Sequence, residues 1–299
     1  MTALTIGIAS IGRPSLLATL ASVAAIGRPQ DVDVTVLVAD DSPDGAVDRL
    51  MAGGGPWPFR LAVLPVAAGN ISVARNACLA AATTPLMAFV DDDERVSAEW
   101  LVRLFAAMAE FGADVVIGPV FPVYPPGTPD WLRRANPLHV DWGRRGRRVD
   151  TGRTGNVLFR RDDPRWSALR FDPAYGRTGG EDTDYFHRLH RAGAAIVVTD
   201  DARIDEEVPA ARLQPRYLRR RALRSGQSYA GFRLGGRRGL DPAGLVFHAG
   251  NAAKALAGLA AALLLRPVDR ARSLRFALKF WLNLGKLRQL TGRDLPSLY

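Results

Sequence analysis

At 299 residues, 47% hydrophobic and 23% charged, the chain has the composition of a folded globular protein, and a disordered one is excluded. Its net charge of +10 favours an anionic partner: a nucleotide, a phospholipid surface or nucleic acid. The single cysteine, Cys78, excludes an internal disulfide and a cysteine-based zinc site.

In chain order, Leu4–Ile8 is expected as a first strand, with no basic, apolar leader before it, so no signal peptide is expected. A helix follows Pro14, its apolar positions Leu16, Leu17, Leu20 and Val23, and Gly27 stops it. A second strand, Val34–Val38, runs into Asp40-Asp41-Ser42. A short helix over Pro43–Leu50, a strand over Arg60–Leu64 and a helix over Ile71–Ala82 complete the approach to the most telling stretch. That stretch is Pro85-Leu86-Met87-Ala88-Phe89-Val90-Asp91-Asp92-Asp93, an apolar strand ending in three carboxylates. Three like charges at the mouth of a core strand are costly unless a cation neutralises them. Asp91 and Asp93, two positions apart, offer oxygen ligands to a hard divalent ion such as Mg²⁺ or Mn²⁺.

Ser97 is the expected N-cap of a helix carrying Trp100, Leu101, Leu104, Phe105 and Met108, and a strand follows at Asp114–Ile117. The alternation to this point predicts an α/β fold with a mostly parallel central sheet flanked by helices. Neither glycine-rich phosphate fingerprint occurs in the first turn, which argues against a dinucleotide oxidoreductase and a P-loop enzyme. The proline- and arginine-rich stretch Phe121–Arg153 reads as a long functional loop. A strand is expected at Gly155–Arg160. Gly179-Gly180-Glu181-Asp182 leads into a helix over Thr183–Arg191, and Ala195–Val198 is a further strand.

Beyond Glu207 no acid appears until Asp241, while arginines accumulate. Two helices are expected near Ala243–Leu265 and Asp269–Leu290. The apolar run Ala255–Leu265 is expected to be too short to span a bilayer. The second helix, with Trp281 among leucines and a basic opposite face, has the composition of a membrane-surface anchor, and equally of a helix packed on the catalytic domain with a solvated basic face. The expected division is a catalytic domain over 1–207, with halves 1–118 and 119–207, and a basic helical extension over 208–299.

Four pieces in order, Leu4–Pro14, Val38-Ala39-Asp40-Asp41-Ser42, Ser72–Asn76 with Phe89–Asp93, and Gly180-Glu181-Asp182, together resemble the family 2 glycosyltransferases. The Arg-rich segment after Glu206-Glu207-Val208-Pro209 is most similar to the succinoglycan-type glucosyltransferases of polysaccharide assembly. The resemblance implies the GT-A fold over about the first two hundred residues. It also implies inverting, metal-dependent transfer from a nucleoside-diphosphate sugar, with a UDP-sugar favoured, to a saccharide or lipid-linked acceptor. Asp91 and Asp93 match the metal-binding DxD motif, with Mn²⁺ or Mg²⁺ as the ion; Asp92 leaves open which pair is the motif.

Asp182 matches the general base, placed at a helix N-terminus that favours its negative charge. The family's donor contacts carry over to the backbone of Ala9, Ser10 and Arg13 along the nucleotide, Asp41 or its neighbour Asp40 at the base or ribose, Arg75 at the base or diphosphate, Asp92, and Asn156 near the donor sugar. Glu181 would orient an acceptor or a neighbouring arginine, and Trp131 would stack acceptor sugar. Many GT-A enzymes present a late histidine where this chain has Asp205-Glu206-Glu207. Glu206, Glu207, or a grip on the diphosphate by Arg212, Arg220 and Arg221, would take its place.

The resemblance further implies a cytoplasmic enzyme, peripheral at the inner face of the cell membrane and in contact with an anionic surface. Two rivals fit less well. A sugar-nucleotide pyrophosphorylase leaves Glu181-Asp182 unexplained. A nucleic-acid-binding tail offers only Tyr217, Tyr229 and Phe232 for stacking, so no nucleic-acid partner is expected.

Overall fold

Strand β1, Thr2–Ser10, alternates little: Leu4, Ile6 and Ile8 are wholly buried, and so is Thr5 on the opposite face. A strand buried on both sides belongs at the centre of a sheet covered by helices, and β1 lies there. The computed structural model describes residues 2–27, 29, 32–177 and 179–291.

In chain order, β1 is followed by α1 (Ser15–Ala24), β2 (Val32–Asp40), α2 (Ala46–Met51), β3 (Arg60–Pro65), α3 (Ile71–Ala81), β4 (Leu86–Phe89) and β5 (Glu94–Val96). Then come α4 (Trp100–Glu110), β6 (Val115–Ile117), β7 (Val120–Val123), α5 (Asp130–Ala135), β8 (Arg148–Val149), β9 (Val157–Arg160), α6 (Glu181–Arg191), β10 (Ile196–Val198) and β11 (Ile204–Glu207). Helices α7 (Pro215–Arg233), α8 (Pro242–Leu265) and α9 (Arg270–Leu287) complete the described chain.

The main sheet runs β3-β2-β1-β4-β9-β6-β10-β8. Its pairs are parallel except at β9, antiparallel to both β4 and β6, and at β8, antiparallel to β10. A three-stranded sheet, β5-β11-β7, stands apart from it. Register places Ser10 beside Asp40 and Gly7 beside Phe89. The first turn, Asp40-Asp41 and Asp91–Asp93 therefore leave the sheet along one carboxyl edge, where ligands bind in open α/β sheets. One core, centred on Leu4, Ile6, Trp100 and Leu104, packs α1 and α4 on one face. The other, with Phe89, Phe159, Phe171 and Phe186, packs α3 and α6 on the opposite face. This is the α/β architecture with a mostly parallel sheet that the strand–helix alternation predicts, and the GT-A-like one that the resemblance implies.

The expected elements differ from the observed ones at a few places. Ser97 is not a side-chain N-cap: its carbonyl accepts from Trp100 N at 3.0 Å, and no side chain caps α4. The expected loop Phe121–Arg153 contains α5 and short strands. The arginine-rich stretch after Glu207 contains α7, which buries only Leu218, Arg224, Gly226 and Ala230 and so carries almost no apolar periodicity.

The chain divides into two compact units: Met1–Phe121 with Val140–Glu206, and Pro122–His139 with Glu207–Tyr299. Segment Pro122–His139 thus joins the helical unit rather than the sheet unit. Within the helical unit, Leu138, Val208 and Leu218 form a small core with Tyr124, Leu274 and Leu278. Arg275 Nε donates to Ala135 O at 3.0 Å. Helix α9 is the centre of this unit. Gly226 lies against the backbone of Leu282, Gly285 against that of Leu223, and Gly258 against that of Phe280, so side chains at these positions would force the helices apart. The apolar side of α9 is thereby spent on packing: Leu274 and Leu278 join the core, and Trp281 lies beneath Arg219. Helix α8, not α9, is the one among the described residues long and apolar enough to cross a membrane, by length and composition only.

Candidate active site

Helix α3 organises the sheet unit's acidic edge. Asn70 caps it, its side chain accepting from Ser72 N and Val73 N. From the same turn Ser72 Oγ donates to Asp172 O at 2.9 Å. One turn on, Asn76 and Phe171 exchange two hydrogen bonds of 2.8 Å. These contacts hold the segment that leads into α6. Between them Arg75, only 4% exposed, donates from Nη1 to Glu181 Oε1 at 2.5 Å and from Nη2 to Asp91 Oδ1 at 3.0 Å. Burial opposes its charge, but Asp91, Glu181 and Asp182 outweigh that and hold the guanidinium above its ordinary value. Arg75 is therefore a bridge joining the two acidic motifs. Glu181, itself buried, is the arginine's partner rather than an acceptor contact. Burial first, and Asp182 second, push its carboxyl up despite Arg75.

The three aspartates part company. Asp92 is buried and turned to the first strand: Ser10 Oγ donates to Oδ2 at 2.7 Å and Arg13 Nη1 to Oδ1 at 2.9 Å. It latches the first turn to the acidic turn, which commits the Ser10 side chain and leaves the backbone of that turn to line a ligand. Arg13 also reaches Asp93 Oδ2 at 3.3 Å and keeps 41% of its side chain exposed. Ala9 is partly buried against the second core. Asp91 and Asp93 keep 37% and 17% of their side chains exposed, against 5% for Asp92.

Behind them lies Glu94, whose Oε2 accepts from Asp91 N at 2.9 Å and whose cross-strand partner in the small sheet is Glu206. Burial, then Asp91, Glu206 and Asp92, push Asp93 up to about 6. Burial, then Asp91 and Glu206, push Glu94 well above the carboxylate range, with Arg153 opposing. Arg153 faces Asp182, Glu206, Glu94 and Asp91, which together overcome its own burial. Sequence reading missed Glu94 and Arg153. Glu94 simply continues the acidic run, whereas nothing local marks Arg153.

Gly155 fits here because a Cβ would lie 2.5 Å from Glu94 Oε1 and 3.4 Å from Asp91 Oδ2. Among the described residues no three carboxylate, histidine or cysteine side chains form a ready-made metal cluster.

Asp182 stands in the first turn of α6, after Gly179 and Gly180 with φ of 78° and 94°, values few residues but glycine accept. Its Oδ1 accepts from Thr183 N at 2.6 Å, and the side chain is only partly buried. The remaining expected donor residues have hydrogen-bond partners within the fold. Asp40 accepts from Ser42 N, Ser42 Oγ and Val47 N, which closes the β2–α2 turn. Asp41 accepts from Ala68 N, Gly69 N and Asn70 N, three of about four acceptor positions on a carboxylate, leaving one. Asn156, 1% exposed, accepts from Trp100 Nε1 at 2.8 Å and donates to Pro119 O and Ala202 O. Its amide is fully committed, so it is a scaffold residue.

Trp131, Arg212, Arg220 and Arg221 belong to the helical unit. There Arg270 stacks on Trp131 at 4.8 Å and Arg221 Nη2 reaches Leu138 O at 3.5 Å.

Residues 7–174 match the family described as "Glycosyl transferase family 2". The chain is 37% identical over 291 residues to the succinoglycan biosynthesis protein ExoM of Rhizobium meliloti (strain 1021), over 96% of this chain and 92% of that protein. Among solved structures, S. aureus TarS 1-349 in complex with UDP-GlcNAc matches with a TM-score of 0.55 at 16% identity, over 93% of this chain and 90% of that one. The same TarS fragment with UDP matches with a TM-score of 0.54 at 18% identity, over 97% and 92%. The TarS likeness carries the fold alone, while the family match and the relative carry descent: the chain belongs to glycosyl transferase family 2 and is a glycosyltransferase.

Proposed function

We propose that this protein transfers a sugar from a nucleoside-diphosphate sugar to a saccharide or lipid-linked acceptor with inversion at the anomeric carbon, in the assembly of a polysaccharide. The observation that carries the reading is the Arg75 bridge. It ties Asp91, at the end of β4, to Glu181, the residue before the candidate base. UDP is the favoured nucleotide, because the structural relative TarS has been crystallised with UDP and UDP-GlcNAc. The similarity to ExoM, a succinoglycan biosynthesis protein, supports a polysaccharide product.

Asp182 takes the proton of the acceptor hydroxyl as that oxygen attacks the anomeric carbon. Its Oδ1 bonds to Thr183 hold the carboxylate in place, and the two glycines before it leave room for sugar beside the backbone. Asp41 offers its remaining acceptor position to the nucleoside. Arg13, half-open, and Arg153 supply positive charge beside the diphosphate acids.

The donor set fits a hard divalent ion. Asp91 and Asp93 are the partly exposed members of the Asp91–Asp93 run, in an acid cluster where burial first and like charges second raise Asp93. Mg²⁺ in phosphate sites takes one or two carboxylates and fills its other positions with phosphate oxygens and water. When bound by Asp91 and Asp93, Mn²⁺ or Mg²⁺ would neutralise charge on the departing nucleoside diphosphate.

The test is titration calorimetry of UDP, GDP and dTDP, with and without Mn²⁺, on wild type and Asp93→Asn. Metal-dependent binding of one nucleotide, lost in the variant, is expected. Failure of every nucleotide to bind under any metal condition would end the transferase-site reading.

A further inference from the structure

Helix α8 is amphipathic the wrong way round for water. Its buried positions, at helical spacing, are Gly244, His248, Asn251, Ala255, Gly258 and Ala262. Its outward positions include Leu245, Val246, Leu256, Leu263 and Leu264, of which Val246 is 74% and Leu264 76% exposed. A surface helix ordinarily turns leucines inward and polar residues outward. Small inward residues here admit close packing on α9, as Gly258 does against the Phe280 backbone, and the bulky apolar side chains are left outside. A contiguous apolar surface of this kind marks an interaction site.

The charge around it selects the partner. The helical unit holds 20 of the 40 Lys and Arg residues but 5 of the 30 acids, so it carries +15 while the sheet unit carries −5. Beside the outward face of α8, a cleft of about 280 Å³ is lined by Tyr229 and Arg233 of α7, Val246, Phe247 and Lys254 of α8, and Lys286 of α9. Three cations converge there and no carboxylate lines it. Lys286 Nζ lies 5.0 Å over the Tyr229 ring, 3.3 Å from Asn283 Oδ1. Burial, with Lys254 nearby, holds its ammonium below the ordinary value, a strain that a bound anion relieves. Val246 and Lys254 belong to both the cleft and the exposed face, so the anion site opens onto the apolar surface.

We propose that the helical unit docks on an anionic bilayer, with the outer leucines of α8 seated among acyl chains and a lipid phosphate held in the cleft by Arg233, Lys254 and Lys286. The helix lies in the interface plane rather than across the bilayer, because its inner side is packed on α9 and Lys254 stands midway along its outer side. Basic residues near an anionic surface act additively with the apolar seat.

The test is flotation of the full chain with phosphatidylcholine vesicles, with and without about one-fifth phosphatidylglycerol. Nucleotide calorimetry runs in parallel as a separate readout of the sheet unit. Wild type is expected to bind the anionic vesicles and to lose binding as salt rises. Lys254→Glu should weaken it about 25-fold, two charges at about five-fold each. Leu264→Glu, at an exposed position, should weaken it about tenfold or more. Both variants should keep wild-type nucleotide affinity.

Equal partition into neutral and anionic vesicles, or none into either, overturns the proposal without touching the transferase reading. Saturable binding of inorganic phosphate with no vesicle binding would assign the cleft to a free anion and overturn it. So would a lipid-free dimer that Leu264→Glu converts to monomer, because a second copy would then cover α8.

Discussion

Arg75 of α3 and Glu181 at the start of α6 lie 106 positions apart in the chain and 2.5 Å apart in the fold, while the same guanidinium reaches Asp91 at 3.0 Å. One buried cation thus sets the spacing between the acids at the end of β4 and the helix that carries the candidate base. Removing one partner of a buried ion pair leaves an uncompensated charge, which costs about 3–5 kcal/mol. Arg75→Met is therefore expected to lower unfolding stability by about that amount in urea. Adding Glu181→Gln should restore at least about 1 kcal/mol, because the stranded carboxylate is gone. Single and double variants of equal stability would show that the pair is not coupled.

Asn156 is expected to matter for folding and not for nucleotide. Asn156→Ala strands the Trp100 indole N–H and deprives the carbonyls of Pro119 and Ala202 of their donor. Each buried group left unmatched costs about 1–3 kcal/mol. Thermal unfolding should show a loss of about 3 kcal/mol or more, with UDP affinity of the folded variant unchanged. A stable variant that has lost UDP would return Asn156 to the donor site.

Asp93 supplies a pH dependence whose sign can be stated. Its carboxyl is pushed up to about 6 from 3.8 by burial and by Asp91, Glu206 and Asp92. Between those values the folded state holds a proton that the unfolded state has released. The metal-free protein should therefore lose stability as pH rises through that window. Metal requires the ionised form, so metal-dependent nucleotide affinity should instead rise as pH passes about 6. Calorimetry from acid to neutral pH on wild type and Asp93→Asn checks both, and a flat wild-type profile would contradict the assignment.

Asp182→Asn separates chemistry from binding. Loss of a positioned general base lowers turnover by about 10²- to 10⁴-fold. The side chain is partly exposed and bonded only to Thr183 among the described residues. Stability should accordingly shift by less than about 0.5 kcal/mol. Product formation against time, beside nucleotide calorimetry, gives the two numbers. Unchanged turnover would move the base elsewhere in the acid cluster.

The sequence by itself determined the strand–helix alternation, the acids at the strand ends and the glycine pair before Asp182. These are local: burial on both faces of a strand, turn chemistry and helix starts are written in neighbouring residues. They sufficed for the fold and the family.

Which carboxylate does what was decided only by tertiary structure. Asp91, Asp92 and Asp93 are identical in the chain, yet Asp92 turns to Ser10 and Arg13, 82 and 79 positions away, and Asp91 to Arg75. The same holds for Asn156, for Arg153 and for the inward glycines of α7, α8 and α9. The outward turn of the α8 leucines was likewise settled by which side of that helix meets α9. Periodicity reports that a face is buried. The partner buried against it, and the side-chain hydrogen bonds that partner uses up, depend on packing between segments that no local pattern records.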